Sequence, residues 1–170
     1  MLYELHHRSF DRLVTNEPKT EEKQFYCFLA YEGLAVKYCN NGSTTLTKPF
    51  NPSIEKNLGM DKFTLDYFTE IYDVIHKKLQ TDVKRLRLEG QSCLQEVIAS
   101  WLEIYRPEDD KTQMPVLLHT MNYIIGSEIW GLIHDHYGKE KLYWLLNNLD
   151  EFTSYYNDAL RTLNKDELMI

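Results

Sequence analysis

Helical periodicity runs through most of this sequence and constrains the chain to an all-α fold. Apolar residues recur mainly three or four positions apart rather than at alternate positions, which is the spacing of a helix with one buried face. Only seven glycines and five prolines interrupt the 170 residues. With 43% hydrophobic residues, a chain of this length can bury one sizeable core. We therefore expect a single helical domain over residues 1–170.

Helix-breaking residues divide this domain into about seven helices. The predicted helices span residues 2–14, 21–39, 61–88, 92–105, 115–137, 139–147 and 150–163. Gly138 breaks the fifth predicted helix from the sixth. A linker at residues 43–59 contains the β-prone residues 44–47, and it either forms a short hairpin arm or stays irregular.

The net charge of −7 argues against two classes of partner. Proteins that bind nucleic acid or an anionic membrane concentrate excess Lys and Arg on one surface. The one basic cluster, Lys84, Arg85 and Arg87, is followed by Glu89 and is interpreted as a solvated helix face. We expect neither nucleic acid nor a membrane as a partner.

Cysteine usage and the lack of long apolar runs indicate a cytoplasmic protein. The three cysteines show no C-x-x-C spacing, so reduced thiols are expected rather than a disulfide framework. No run approaches the roughly 18 apolar residues of a spanning helix. The start of the chain lacks the apolar core of a signal peptide.

The pentapeptide Y-E-L-H-H at residues 3–7 has the clearest chemical content. It equals the zinc motif H-E-x-x-H with tyrosine in place of the first histidine. In the intact motif, two histidines on one helix face bind zinc, and the glutamate between them acts in hydrolysis. Tyr3 and His7 still share a face. Taken alone, such a pattern is more often a polar helix surface.

Glu32 interrupts the apolar stripe of the second predicted helix, within the segment E-G-L-A. A carboxylate on a core face is costly unless a metal or a cation meets it. Two interpretations stay open. Glu32 is either a metal ligand or the acidic half of a buried ion pair with a residue such as Arg8 or Arg12.

In this order, the two segments resemble zinc metallopeptidases of the gluzincin type, in which a glutamate, often within an E-G-L-A segment, follows the H-E-x-x-H helix. Near the carboxyl end, Y-G-K-E-K-L at residues 137–142 is similar to a turn that opens a late helix in such peptidases. The resemblance covers residues 1–40 and 121–170. It implies that the chain corresponds to the helical half of a gluzincin catalytic domain.

The resemblance assigns chemical roles residue by residue. Glu4 corresponds to the general base, His7 to the second zinc ligand and Glu32 to the third. Tyr3 occupies the place of the first ligand. A neutral phenol has a pKa near 10 and is a poor zinc ligand, so the expected function is that of a zinc metallopeptidase-like domain whose peptide hydrolysis is impaired or absent.

Three further residues bear on whether the zinc site is complete. His6 points about 100° around the helix from His7 and does not simply replace Tyr3. His119 and Tyr123 lie four positions apart on one predicted face. They supply either a replacement ligand and a hydrogen-bond donor to an oxyanion, which makes Tyr123 a candidate catalytic residue, or satisfied polar groups of the core, which are commoner.

The resemblance also raises a question about partners. In such peptidases a β-sheet precedes the zinc helix and its edge strand holds the substrate, whereas two residues precede Tyr3 here. The chain is therefore interpreted as a translated fragment, a family member without its upper lobe, or a chain whose partner supplies that lobe. A peptide or protein is the expected ligand. The competing class is a helical interaction or regulatory module without metal.

Two geometric expectations follow. The side chains of His7 and Glu32 should converge, with Tyr3 beside them. Gly126, in the middle of the fifth predicted helix, should face the backbone of another helix, because a mid-helix glycine costs about 1 kcal/mol relative to alanine and needs a packing reason.

Overall fold

The computed structural model describes residues 2–39, 62–103 and 120–170, with side chains from residue 6 of the first helix, to residue 38 of the second and from residue 73 of the third. These ranges hold six α-helices and no strand. The helices are α1 (Leu2–Leu13), α2 (Glu21–Cys39), α3 (Lys62–Glu89), α4 (Gln91–Trp101), α5 (Met121–Leu146) and α6 (Phe152–Thr162). The predicted all-α class is confirmed. No described helix has the length and apolar character needed to cross a membrane.

Most helix boundaries agree with the sequence prediction. The bounds of α2 match it, and α3 ends one residue later than expected. The fourth helix is shorter than predicted, because the chain leaves α4 in a turn in which Leu102 N–H donates to the Ala99 carbonyl. The predicted linker at residues 43–59 and the start of the fifth predicted helix lie outside the described residues.

The fifth and sixth predicted helices form the single kinked helix α5. Gly138 lies at the kink with φ 82° and ψ 169°, a backbone conformation that glycine adopts far more readily than other residues. Two 3₁₀ turns flank α6, at Leu149–Glu151 and Asp166–Leu168. The turn at Leu149–Glu151 occupies the position where the last helix was predicted to begin, at residue 150. The turn at Asp166–Leu168 was not predicted.

Helix α2 occupies the centre of the described fold and contacts α1, α3, α4 and α5. Its approach to α5 is closest at two glycines. A Cβ atom added to Gly33 would lie 2.1 Å from the backbone carbon of Gly126, and one added to Gly126 would lie 2.1 Å from the Leu29 carbonyl oxygen. The expectation that Gly126 faces another backbone is confirmed. Two glycines, rather than one, permit the contact.

An aromatic cluster fixes α6 against this central pair of helices. The Phe152 ring lies between Tyr26 of α2 and Trp130 of α5, with centroids 4.5 Å and 4.4 Å away. Trp130 Nε1 donates a hydrogen bond to the Tyr26 carbonyl at 3.1 Å. All three rings are at most 1% exposed. Their burial contributes much of the apolar surface removed from water on this side of the core.

Helix α1 is held at its carboxyl end by the side chain of Asn147, which follows α5, and at its middle by contacts with α2. Asn147 Oδ1 accepts a hydrogen bond from Thr15 N at 2.8 Å, and Asn147 Nδ2 donates to the Leu13 carbonyl at 2.8 Å. Phe10 of α1 is 4% exposed and meets the Tyr31 ring of α2 edge-on at 5.3 Å. These contacts place the middle of α1, including His7, against α2.

The basic cluster of α3 pairs with carboxylates of other helices. Arg87 donates to Glu22 of α2 at 2.6 Å. Arg85 donates through both terminal nitrogens to Glu96 of α4, at 2.9 Å and 2.7 Å. These two arginines therefore connect α3 to α2 and α4 as well as forming part of a solvated helix face. Their positive charges are compensated by the paired carboxylates.

We predict that Gly126→Ala destabilises the protein strongly. The new methyl group would meet the backbone of α2, which can be relieved only by moving the two helices apart. Such overpacking costs about 1–3 kcal/mol or more, and the better helix propensity of alanine returns at most about 1 kcal/mol. Urea unfolding would measure the loss. Ser154→Ala, at an exposed position of α6, serves as the control and should be close to neutral.

We also predict that stability falls in mild acid because of His76, which is 0% exposed on α3. Burial lowers the pKa of His76 to about 4. The unfolded chain takes up a proton near pH 6.5 and the folded chain only near pH 4. The free energy of unfolding should therefore fall between these values, by about 3 kcal/mol in total.

Urea unfolding at a series of pH values would test this loss. His76→Leu should remove most of the dependence between pH 6.5 and 4, with the remainder due to His6, whose pKa burial also lowers. His136→Leu, at an exposed position, should keep the dependence. An unchanged slope in His76→Leu would show that other groups govern acid stability.

Candidate functional site

The side chains of His7 and Glu32 converge between α1 and α2, as the sequence predicted. His7 Nε2 lies 3.6 Å from Glu32 Oε2, and each side chain is 20% exposed. Two ligands of a tetrahedral zinc ion with bonds of 2.0–2.2 Å lie about 3.3–3.6 Å apart. The separation is thus compatible with an ion pair and with two donors of one metal ion.

Glu32 meets a histidine rather than either of the two arginines considered from sequence. Arg8 and Arg12 occupy exposed positions of α1, whereas His7 is the basic residue that lies within ion-pair distance of Glu32 in the part of the chain that the structure describes. Glu32 Oε2 is buried and accepts no hydrogen bond from any residue that the structure describes. A buried carboxylate oxygen of this kind is stabilised by a cation, either an imidazolium or a metal ion.

Tyr31 fixes the orientation of the His7 ring. The two rings stack at 4.1 Å between centroids with an angle of 15° between their planes. Phe10 in turn supports the Tyr31 ring, which it meets edge-on. Sequence analysis did not single out Tyr31, although it precedes Glu32 and lies three residues, one helical turn, beyond Phe28 on the side that faces α1.

His6 is part of the packing around this pair. Its ring lies 5.6 Å from the His7 ring and 6.1 Å from Phe10. Burial is the main reason that the pKa of His6 is lowered, the neighbouring His7 lowers it further, and a hydrogen bond with the Tyr31 backbone opposes both. His6 is therefore kept neutral near pH 7 and acts as a packed, weakly basic ring next to the candidate ligand.

The other predicted site residues are placed less completely. Tyr3 and Glu4 lie within α1, and their side chains are outside the described part of the structure, as is all of His119. Tyr123 lies in the first turn of α5 and is partly exposed. The roles of Tyr3, Glu4 and Tyr123 stay predictions.

The described side chains provide two donors for a metal ion and no complete set. Among residues 6–38, 73–103 and 120–170, no three His, Cys, Asp or Glu side chains are grouped so that they could hold a metal. His7 and Glu32 are the pair that comes nearest to this arrangement within the predicted site. A complete zinc site would need a further donor.

A second polar cluster joins α2 to α5 and was not found from sequence. Lys37 Nζ donates to Asp135 Oδ1 at 2.6 Å, and the Lys37 side chain is only 6% exposed. His134 Nδ1 lies 3.0 Å from the same oxygen. Lys37 lies four residues after Gly33 and therefore on the same face of α2. Its burial against α5 could have been predicted if the contact of Gly33 with α5 had been known.

A groove of about 480 Å³ lies between α1 and α2. Its walls are mostly apolar and aromatic. The lining residues are Phe10, Asp11, Val14, Pro18, Gln24, Cys27, Phe28 and Tyr31. Tyr31 belongs both to this groove and to the stack on His7, which joins the two features.

Comparisons of the chain with protein-family models, with curated proteins and with solved structures found no match. The resemblance to gluzincins therefore stays a prediction from the sequence. What the residues can do has to be inferred from the geometry of His7, Glu32 and their neighbours.

Proposed function

We propose that this chain is a zinc metallopeptidase-like domain in which His7 and Glu32 hold a zinc ion and peptide hydrolysis is impaired. The observation that carries the proposal is the 3.6 Å separation of His7 Nε2 and Glu32 Oε2. These atoms come from two helices and belong to the two sequence segments that resemble gluzincins. A coincidental likeness of the two segments gives no reason for their side chains to meet.

The residues present fit zinc in donor type and in environment. Imidazole nitrogen and carboxylate oxygen are ligands that zinc prefers. Glu32 Oε2 accepts no hydrogen bond from the described residues, so a cation there would compensate a buried charge. The Tyr31 stack limits rotation of the His7 ring, which reduces the entropy lost when the ring binds a metal. Zinc held by His7 and Glu32 would supply Lewis acidity toward a peptide carbonyl group.

Impairment follows from the ligand that Tyr3 replaces. A neutral phenol binds zinc poorly, and His7 with Glu32 gives one donor fewer than the three of a usual catalytic site. In this proposal Glu4, one position after Tyr3, is the group that accepts a proton. We therefore expect weak zinc binding and a domain that binds peptides without cleaving them efficiently.

A helical interaction module without metal is the second candidate. The His7–Glu32 contact itself favours it, because a protonated His7 satisfies Glu32 without any metal ion. An ion pair of partly exposed side chains contributes only about 0–1 kcal/mol to stability. The two candidates therefore differ in one measurable property, which is the affinity for zinc.

We predict that Tyr3→His raises zinc affinity at least about tenfold, because it places two histidines on one helix face. Loss of a group that only hydrogen-bonds a metal ligand already changes metal affinity by about 10–100-fold, and a direct ligand should matter at least as much. Calorimetric titration of both proteins with zinc chloride would measure this. Glu32→Gln in the Tyr3→His protein should remove the gain. The control Glu140→Gln, at an exposed position of α5, should keep it.

Two outcomes of this titration would contradict the proposal in different ways. Equal and negligible zinc binding by the unmodified chain and by Tyr3→His would mean that residues 3–7 match the motif by chance. Tight binding by the unmodified chain would mean that another side chain completes the zinc site. The proposal that peptide hydrolysis is impaired would then be wrong.

Peptide hydrolysis by the unmodified chain should stay at the background rate. Without the third ligand, zinc is held weakly and its position relative to a peptide is poorly fixed, so little productive metal complex forms. A quenched fluorescent peptide library, incubated with the protein and a slight excess of zinc, would report cleavage. Hydrolysis that a chelator abolishes and that Glu32→Gln also abolishes would show an active peptidase.

A further inference from the structure

Two aromatic rings hold the ammonium group of Lys141 where the last turns of α5 meet α6. Lys141 Nζ lies over the Trp144 ring, 4.2 Å from its centroid, and over the Tyr155 ring, 4.7 Å from its centroid. It also donates a hydrogen bond to the Tyr155 hydroxyl group at 3.2 Å. A cation within about 6 Å of a ring centroid is attracted to the face of that ring. The two rings therefore form a surface that binds a cation.

A third ring and a carboxylate extend this surface into what we call the aromatic cage, formed by Tyr137, Trp144, Tyr155 and Asp158. The Tyr155 ring packs edge-to-face with Tyr137 at 5.2 Å and 80°, and with Trp144 at 6.0 Å and 66°. Rings at such steep angles form walls rather than one flat stack. Asp158 accepts a hydrogen bond from the Tyr137 hydroxyl group at 2.8 Å, and its negative charge adds to the attraction of the rings for a cation.

The cage is held in place and is open to solvent. The Tyr137 hydroxyl group also donates to the Tyr155 carbonyl at 3.2 Å, which ties α5 to α6. Burial and the neighbouring Asp158 raise the pKa of Tyr137, so this hydroxyl group keeps its proton and remains a donor. Trp144 is 42% exposed, and Lys141 and Tyr155 are partly exposed. A ligand can thus reach the rings without a rearrangement of the core.

The chemistry of the cage favours a cation that carries apolar substituents. The primary ammonium group of Lys141 is strongly hydrated and sits on a flexible stem, so it loses hydration inside the cage and can swing out to solvent. A quaternary ammonium group carries the same charge beneath a surface of methyl groups. It gains both from the attraction of the ring faces and from the removal of apolar surface from water.

We propose that the aromatic cage binds a quaternary ammonium group, carried by a small molecule or by a trimethylated lysine, and that Lys141 fills the cage until such a ligand displaces it. Lys141 is then an internal competitor, which lowers the affinity for the ligand by the fraction of time that it occupies the cage. No residue of the cage belongs to the His7–Glu32 site, so this binding requires no zinc.

Titration of the ¹⁵N-labelled full chain with choline chloride would test this, with the indole N–H signal of Trp144 as the NMR readout. Trp101 and Trp130 are each 0% exposed, so their signals should stay in place and report an intact core. Lys141→Gln should lower the Kd for choline by about two- to fivefold, because it removes the competitor and a cation–π contact at an exposed site has about this weight.

A matched pair of ring variants locates the binding. In the Lys141→Gln protein, Tyr155→Leu should raise the Kd for choline by about two- to fivefold, because one wall of the cage is lost. Tyr143→Leu, which removes a 36% exposed ring of α5 outside the cage, should leave the Kd unchanged. Equal effects of the two substitutions would contradict binding in the cage.

The neutral isostere 3,3-dimethylbutan-1-ol separates charge from apolar contact, since it has the shape of choline without the positive charge. It should shift the Trp144 signal far less than choline does. Equal shifts, or no shift with choline in Lys141→Gln, would overturn the proposal. A lower Kd for N-acetyl-trimethyllysine amide than for choline would assign the ligand to a peptide, and the reverse order would assign it to a small molecule.

Discussion

The contact between Gly33 of α2 and Gly126 of α5 sets the spacing of the two central helices, and the rest of the described fold depends on it. With no side chain at either position, backbone meets backbone at the crossing. The same side of α2 then brings Lys37 within reach of Asp135. Trp130 of α5 reaches the Tyr26 carbonyl, and Phe152 of α6 packs against both rings.

Packing on one side of α2 leaves its other side for the candidate site. Tyr31 and Glu32 face α1, which Asn147 anchors at its carboxyl end. The position of His7 is thus set by Phe10 and Tyr31 and by the hydrogen bonds of Asn147 at the end of α5. The two donors are already together, so a metal ion would add to an arrangement that the core maintains.

The energies involved show what zinc would change. A partly exposed ion pair contributes about 0–1 kcal/mol, and the His7–Glu32 contact alone therefore adds little to the docking of α1. Structural zinc sites in small peptides have apparent binding free energies of about 10–16 kcal/mol. A zinc ion bound by both side chains would add to the docking of α1 on α2, but by much less than a complete site provides, because one ligand is missing. Metal binding and the stability of the α1 contact should consequently be linked.

Local signals made much of this predictable. The bounds of α2 follow from helical periodicity and flanking breakers, and the burial of Gly126 follows from the cost of a mid-helix glycine. The meeting of His7 with Glu32 was expected from the order of two motifs. Three features were not expected from the sequence, because each depends on which helix lies opposite. They are the stacking of Tyr31 on His7, the Lys37–Asp135 ion pair and the burial of His76. A single sequence gives helix faces but not their partners.

The most direct test is a crystal of the protein grown with zinc and measured at the zinc absorption edge. We predict an anomalous difference peak within about 2.0–2.2 Å of both His7 Nε2 and Glu32 Oε2, the usual length of bonds from zinc to these ligands. A zinc peak elsewhere, or none with His7 and Glu32 still paired to each other at saturating zinc, would contradict it.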